Sequence, residues 1–132
     1  MEDTRITFET AKLAKEKGFT QETNRFEIPY YNYKGEFKGD VSDWRVRKYI
    51  RGEDTSNIEF VSAPTQSLLA KWLRERYNIH VTSQIGNLDF INTYHYDIRY
   101  IDKNKFICKV KGNFKTYEEA LEAGLQETLK LI

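Results

Sequence analysis

The chain has 132 residues with 21 Lys or Arg against 20 Asp or Glu, so its formal charge of +1 supplies neither a bulk attraction for nucleic acid nor an acidic mimic of it. An apolar share of 39%, with nine Tyr and eight Phe, excludes a wholly disordered chain. A mean hydropathy of −0.71, with no apolar run of about 18 residues, excludes an ordinary membrane-spanning helix.

This length suits one hydrophobic core, and we expect a single globular domain over residues 1–132. The opening MEDTRITFETAKLAKEKGF lacks the uninterrupted apolar segment of a secretory leader. Cys108 is the only cysteine, which excludes an intramolecular disulfide. Both features predict a reducing cytoplasm and no membrane partner.

Residues 6–18, ITFETAKLAKEKG, predict a first helix with Thr7 as N-cap, Ala11, Leu13 and Ala14 facing inward, and Gly18 ending it in the left-handed region. Residues 25–61 predict a meander of two or three short strands around Phe26, Ile28, Val46 and Ile58, punctuated by Pro29, Gly35, Gly39 and the polar stretch 51–57. Pro29 predicts that the first strand is an edge or is broken there. Tyr30, Tyr31, Tyr33 and Phe37 exceed what a short edge strand buries by itself, which points to a homodimer or, alternatively, to rings that close over the core of the monomer.

In APTQSLLAKWLRERYNI, Pro64 suits the first helical position, and Leu68, Leu69, Trp72, Leu73 and Tyr77 recur at three and four residues to form the inward face. IHVT then predicts a short strand, with QIGNLDFIN as a loop. Alternation in YHYDIRY and FICKVKG predicts a hairpin. A three-residue connection, Asp102 to Asn104, would set Tyr100 opposite Phe106, Ile98 opposite Cys108, Tyr96 opposite Val110 and Asp97 opposite Lys109. A two-residue loop would put Ile98 beside Lys109, so patterning favours the odd-length loop, with Asn104 at positive φ. In KTYEEALEAGLQETLKLI, Thr116 and Glu119 form a capping-box pattern, and Tyr117, Ala120, Leu121, Leu125, Thr128, Leu129 and Ile132 form an apolar stripe. Gly124 shares that face, which predicts a close approach to the sheet. The whole reads as an α+β fold: an antiparallel sheet with about three helices, the C-terminal helix covering Ile98, Cys108 and Val110.

No catalytic or metal-binding signature is legible. His80 and His95 lack compact ligand spacing, and Cys108 is expected to face inward. Glu118, Glu119 and Glu122 sit at a helix start, where the backbone dipole accounts for them. No GxSxG, P-loop or dinucleotide-binding signature occurs, so no cofactor is expected.

Two binding surfaces compete. Arg99, Lys103, Lys105, Lys109 and Lys111 form a basic run suited to nucleic-acid phosphates. Alternatively, the SAPTQS helix start offers backbone donors at Thr65, Gln66 and Ser67 with Arg74 two turns on. Joined by Tyr30, Tyr31, Arg45 and Arg47, these residues would hold a phosphate-containing nucleotide.

The segments ITFETAKLAKEKGF, APTQSLLAKWLRERYNIHV and YEEALEAGLQETLKLI, in that order, resemble a family of small proteins encoded by phages and prophages of gut Bacteroides-like bacteria. The resemblance implies a phage origin and a host-cytoplasmic setting, and it transfers no catalytic residue. The leading expectation is a non-enzymatic phage accessory or interaction protein whose partner is a host or phage protein. Binding of an anionic nucleotide and binding of nucleic acid are the alternatives.

Overall fold

Thr7 starts the first helix as its spacing predicts. In the computed structural model, which describes residues 4–19, 30–32, 34–38, 61–86 and 93–132, helix α1 runs Phe8–Glu16. The Thr7 hydroxyl accepts from the Thr10 N–H at 3.3 Å. Thr10, Ala11 and Ala14 are buried, Leu13 is half-buried, and Gly18 takes φ +91° just beyond the helix. The chain divides into two compact units, Arg5–Thr65 and Gln66–Ile132 with Met1–Thr4.

Within Arg5–Thr65, three two-residue strands, β1 (Tyr30–Tyr31), β2 (Phe37–Lys38) and β3 (Val61–Ser62), form an antiparallel sheet in the order β2–β1–β3. Tyr30–Tyr31 is therefore central rather than an edge. Neither residue of this strand is a proline, so both tyrosines keep the backbone donors that pairing on two sides requires. The Asn32 side chain accepts from the Lys34 and Glu36 N–H groups, a turn that returns the chain into β2. The Tyr31 hydroxyl donates to the Ile6 carbonyl at 2.6 Å, and its ring meets Phe8 and Phe37 at 5.7 and 5.8 Å. Fully buried Ile6 donates its N–H to the Pro64 carbonyl. Phe26, Ile28, Pro29, Tyr33, Gly39, Val46, 51–57 and Ile58 lie outside the described residues.

The second unit contains helix α2 (Gln66–Tyr77), strands β4 (His80–Ile85), β5 (Tyr94–Asp102) and β6 (Lys105–Phe114), and helix α3 (Tyr117–Leu131). The strands pair antiparallel in the order β4–β5–β6. The fold is α+β: among the described residues it has three helices, and the C-terminal helix lies against β4 and β5.

Helix α2 departs from its predicted face. Pro64 precedes it by two residues, and the buried positions are Gln66, Leu69, Ala70 and Leu73, while Leu68 and Tyr77 are exposed and Trp72 is half-buried. These four also follow helical spacing, and they include a polar residue that apolar counting passes over. The Gln66 amide donates to the Glu118 carbonyl and to Glu122 Oε1, both at 3.0 Å, so burying it costs no orphaned polar group. Asn78 at φ +55° ends the helix, and Ile79 reaches back with its N–H to the Leu73 carbonyl.

Helix α3 follows its predicted stripe more closely. Thr116 accepts from the Glu119 N–H at 3.1 Å, and Ala120, Leu121, Gly124, Leu125, Thr128 and Leu129 are buried. Tyr117, assigned inward by the stripe, is exposed, with its ring edge against Tyr94. A Cβ on Gly124 would stand 2.9 Å from Tyr96 Cβ and 3.0 Å from Val81 Cγ1, so the glycine sets how closely the helix meets the sheet.

The β5–β6 register differs from the one that side-chain alternation predicts. The turn has two residues, Lys103 (φ +50°) and Asn104 (φ +67°), and it pairs Asp102 with Lys105, Ile98 with Lys109, Arg99 with Cys108 and Asp97 with Val110. Positive φ at both turn positions is the type I′ pattern, whose twist matches that of paired strands. Turn geometry thus prevails over the apolar alternation of β6, and Cys108 and Val110 move to the face away from Ile98.

Candidate functional site

Alternation along three paired strands sorts their side chains onto two surfaces. Val81, Ser83, Tyr96 and Ile98 are buried on the side of α3, where the Ser83 hydroxyl donates to the Tyr117 carbonyl at 2.9 Å. The opposite face carries His80, Thr82 and Gln84 from β4, His95, Asp97, Arg99 and Ile101 from β5, and Phe106, Cys108 and Val110 from β6. On this face Ile101 is 65%, Phe106 67% and Val110 56% exposed, and Ile101 pairs directly with Phe106.

Between the Ile101–Phe106 pair and Val110 lies a polar cluster centred on Asp97, which is buried and pairs with Val110. Arg99 Nη2 donates to Asp97 Oδ2 at 2.9 Å and Arg99 Nε to Oδ1 at 3.3 Å, while the Cys108 thiol donates to Oδ1 at 3.2 Å. Burial pushes the Asp97 carboxyl up, but the hydrogen bonds from Arg99 and Cys108 and the charges of Arg99 and His95 outweigh it, leaving Asp97 below the usual carboxylate range. The hydrogen bond to Asp97, then burial, pushes the Cys108 thiol up. Cys108 is thus exposed rather than inward, and its environment opposes thiolate formation. The sequence carried part of this cluster: Asp-x-Arg on a strand places both side chains on one face. Bringing Cys108 to them depended on the even-length turn.

The predicted nucleotide residues are divided between the units. Tyr30, Tyr31 and Thr65 belong to Arg5–Thr65, and Gln66, Ser67 and Arg74 to the other unit, while Arg45 and Arg47 lie outside the described residues. The donors expected to be free at the α2 start are partly engaged: the Gln66 N–H bonds the Thr4 carbonyl at 2.7 Å, and Thr65 forms a β-bridge with Arg5. A chain segment pairing beside the helix start takes up donors that a sequence count leaves open. Ser67 and Arg74 are exposed. Of the predicted nucleic-acid residues, Lys105, Lys109 and Lys111 share one face of β6, Lys103 occupies the turn, and Arg99 lies on the other face.

No family model, curated protein or solved structure matches this chain. Among the described residues, no group of three or more His, Cys, Asp or Glu is placed to hold a metal ion, and no helix is long and apolar enough to cross a membrane.

Proposed function

We propose that this protein is a non-enzymatic binding module that holds another protein on the face of the β4–β5–β6 sheet opposite α3. The observation that carries this reading is the direct pairing of Ile101 with Phe106, two largely exposed apolar side chains on neighbouring strands, with exposed Val110 further along the same face of β6 beyond the Arg99–Cys108 pair. Such a group contributes binding energy when a partner removes it from water. The polar cluster beside it supports a binding role over a chemical one. Arg99 and Cys108 both donate to the Asp97 carboxylate, and the thiol is disfavoured as a nucleophile. The phage setting implied by the sequence resemblance would make the partner a host or phage protein.

A photoreactive phenylalanine analogue at position 106, introduced in producing cells, tests this surface. One stoichiometric cross-linked protein is expected, and it should be lost when Ile101→Asp and Val110→Asp are added to a variant that still melts cooperatively. Cross-linking that is absent, or insensitive to these substitutions, overturns the assignment.

A further inference from the structure

We propose that the outer edge of β6 takes up an extended segment of the partner as an additional strand, and that this segment alternates acidic with apolar residues. The inference rests on the binding-module reading above and names the chemistry of its partner. Among the described residues, β6 pairs on one side only, with β5. From Asp102↔Lys105 to Tyr96↔Lys111 the register runs without interruption. The irregularity comes only beyond Tyr96, near Asn113 at φ +74°. Residues 105–111 thus form a regular edge long enough to template another strand.

Its two surfaces differ in chemistry. Lys105, Lys109 and Lys111 project with Ile107 on one side, and Phe106, Cys108 and Val110 on the other. Among the described residues, no carboxylate forms an ion pair with any of these three lysines. A strand laid alongside would place alternate residues next to the lysines, where Asp or Glu is favoured. The intervening residues would extend the apolar surface of Phe106 and Val110, where Val, Ile or an aromatic residue is favoured. A lysine-bearing edge with a polar reverse face would simply resist association. Here the reverse face of β6 carries Phe106 and Val110, both largely exposed.

Charge also selects among occupants. Two β6 edges paired around a two-fold axis would oppose lysine rows. The β4 edge of a second copy, HVTSQI, brings no carboxylate. Single-stranded nucleic acid gains most where phosphate-binding cations and a stacking ring share one surface. On β6 the lysines and Phe106 lie on opposite surfaces.

The test uses the full chain and a fluorescein-labelled heptapeptide of alternating glutamate and valine, followed by anisotropy at low and moderate salt. Saturable binding is expected, at least about tenfold weaker for the same peptide with alternate backbone nitrogens methylated, because these cannot complete a ladder. The Lys105→Glu, Lys109→Glu, Lys111→Glu variant should lose the glutamate peptide and gain an alternating lysine–valine peptide, with a retained cooperative melt showing that it folds. Equal binding of the methylated peptide, or of one with its glutamates and valines in separate blocks, overturns strand addition. So does tighter binding of oligothymidine, or self-association that competes with the peptide. If position 106 still cross-links a partner in the lysine-reversed variant, the edge inference fails while the face assignment stands. Loss of cross-linking from the parent chain as well removes both.

Discussion

Cys108 combines exposure with a raised thiol pKa, two properties that pull its reactivity in opposite directions. Alkylation proceeds through the thiolate, so iodoacetamide at mildly alkaline pH should modify Cys108 more slowly than a free cysteine, and Asp97→Asn should accelerate it severalfold. Equal rates in the parent and Asp97→Asn, read by mass spectrometry, would show that the 3.2 Å contact does not restrain the thiol. The same carboxylate predicts an acid response. Because Asp97 titrates below its ordinary value when folded, its contribution is fully present above about pH 4 and is lost as pH falls through the folded pKa. Asp97→Asn should therefore be less stable than the parent near neutrality, and the gap should narrow in urea titrations below pH 4. Gly124 provides a steric test. Alanine gains about 0.5–1 kcal/mol in helix propensity, but its methyl would meet Tyr96 and Val81 at 2.9–3.0 Å, and overpacking typically costs about 1–3 kcal/mol. A net loss of up to about 2.5 kcal/mol is expected from denaturant unfolding, and a net gain would show that the helix can move off the sheet.

At the scale of elements, legibility followed the kind of signal each segment carried. Helices α1 and α3 were readable because their N-caps, Thr7 and Thr116, act locally and their small or apolar residues repeat at helical spacing. Helix α2 was readable in its existence but not its orientation, because Gln66 is buried through bonds to residues far away in the chain. The β5–β6 hairpin was readable as two strands, but its register depended on a competition between Lys-Asn turn geometry and side-chain alternation. Alternation alone gave the wrong result, and with it the wrong side of the sheet for Cys108 and Val110. The exposed face was consequently not visible as a site from sequence, although the lysines on β6 were. Asn104→Gly should strengthen this turn, since glycine removes the residual cost of φ +67°, with a gain of up to about 1 kcal/mol. A loss of stability on this substitution would contradict the two-residue turn.

At the scale of the whole molecule, the unit formed by Gln66–Ile132 with Met1–Thr4 has its own layers and its own buried residues. Leu69 and Leu73 come from α2, Val81, Tyr96 and Ile98 from the sheet, and Leu121, Leu125 and Leu129 from α3. Its strands are sequential neighbours joined antiparallel, so most of its pairing is local along the chain, an arrangement that favours independent folding. Against this stands its size, since a core this small leaves only a narrow margin over chain entropy. A fragment spanning residues 66–132 is expected to give a dispersed amide spectrum and a cooperative thermal transition. Within that fragment, Leu125→Ala should cost about 2–5 kcal/mol or abolish folding outright, because Leu125 is fully buried. A fragment with collapsed amide dispersion and no transition would show that the chain folds only as one domain over residues 1–132. A Leu125→Ala loss below about 0.5 kcal/mol in the full chain would show instead that α3 does not anchor the sheet.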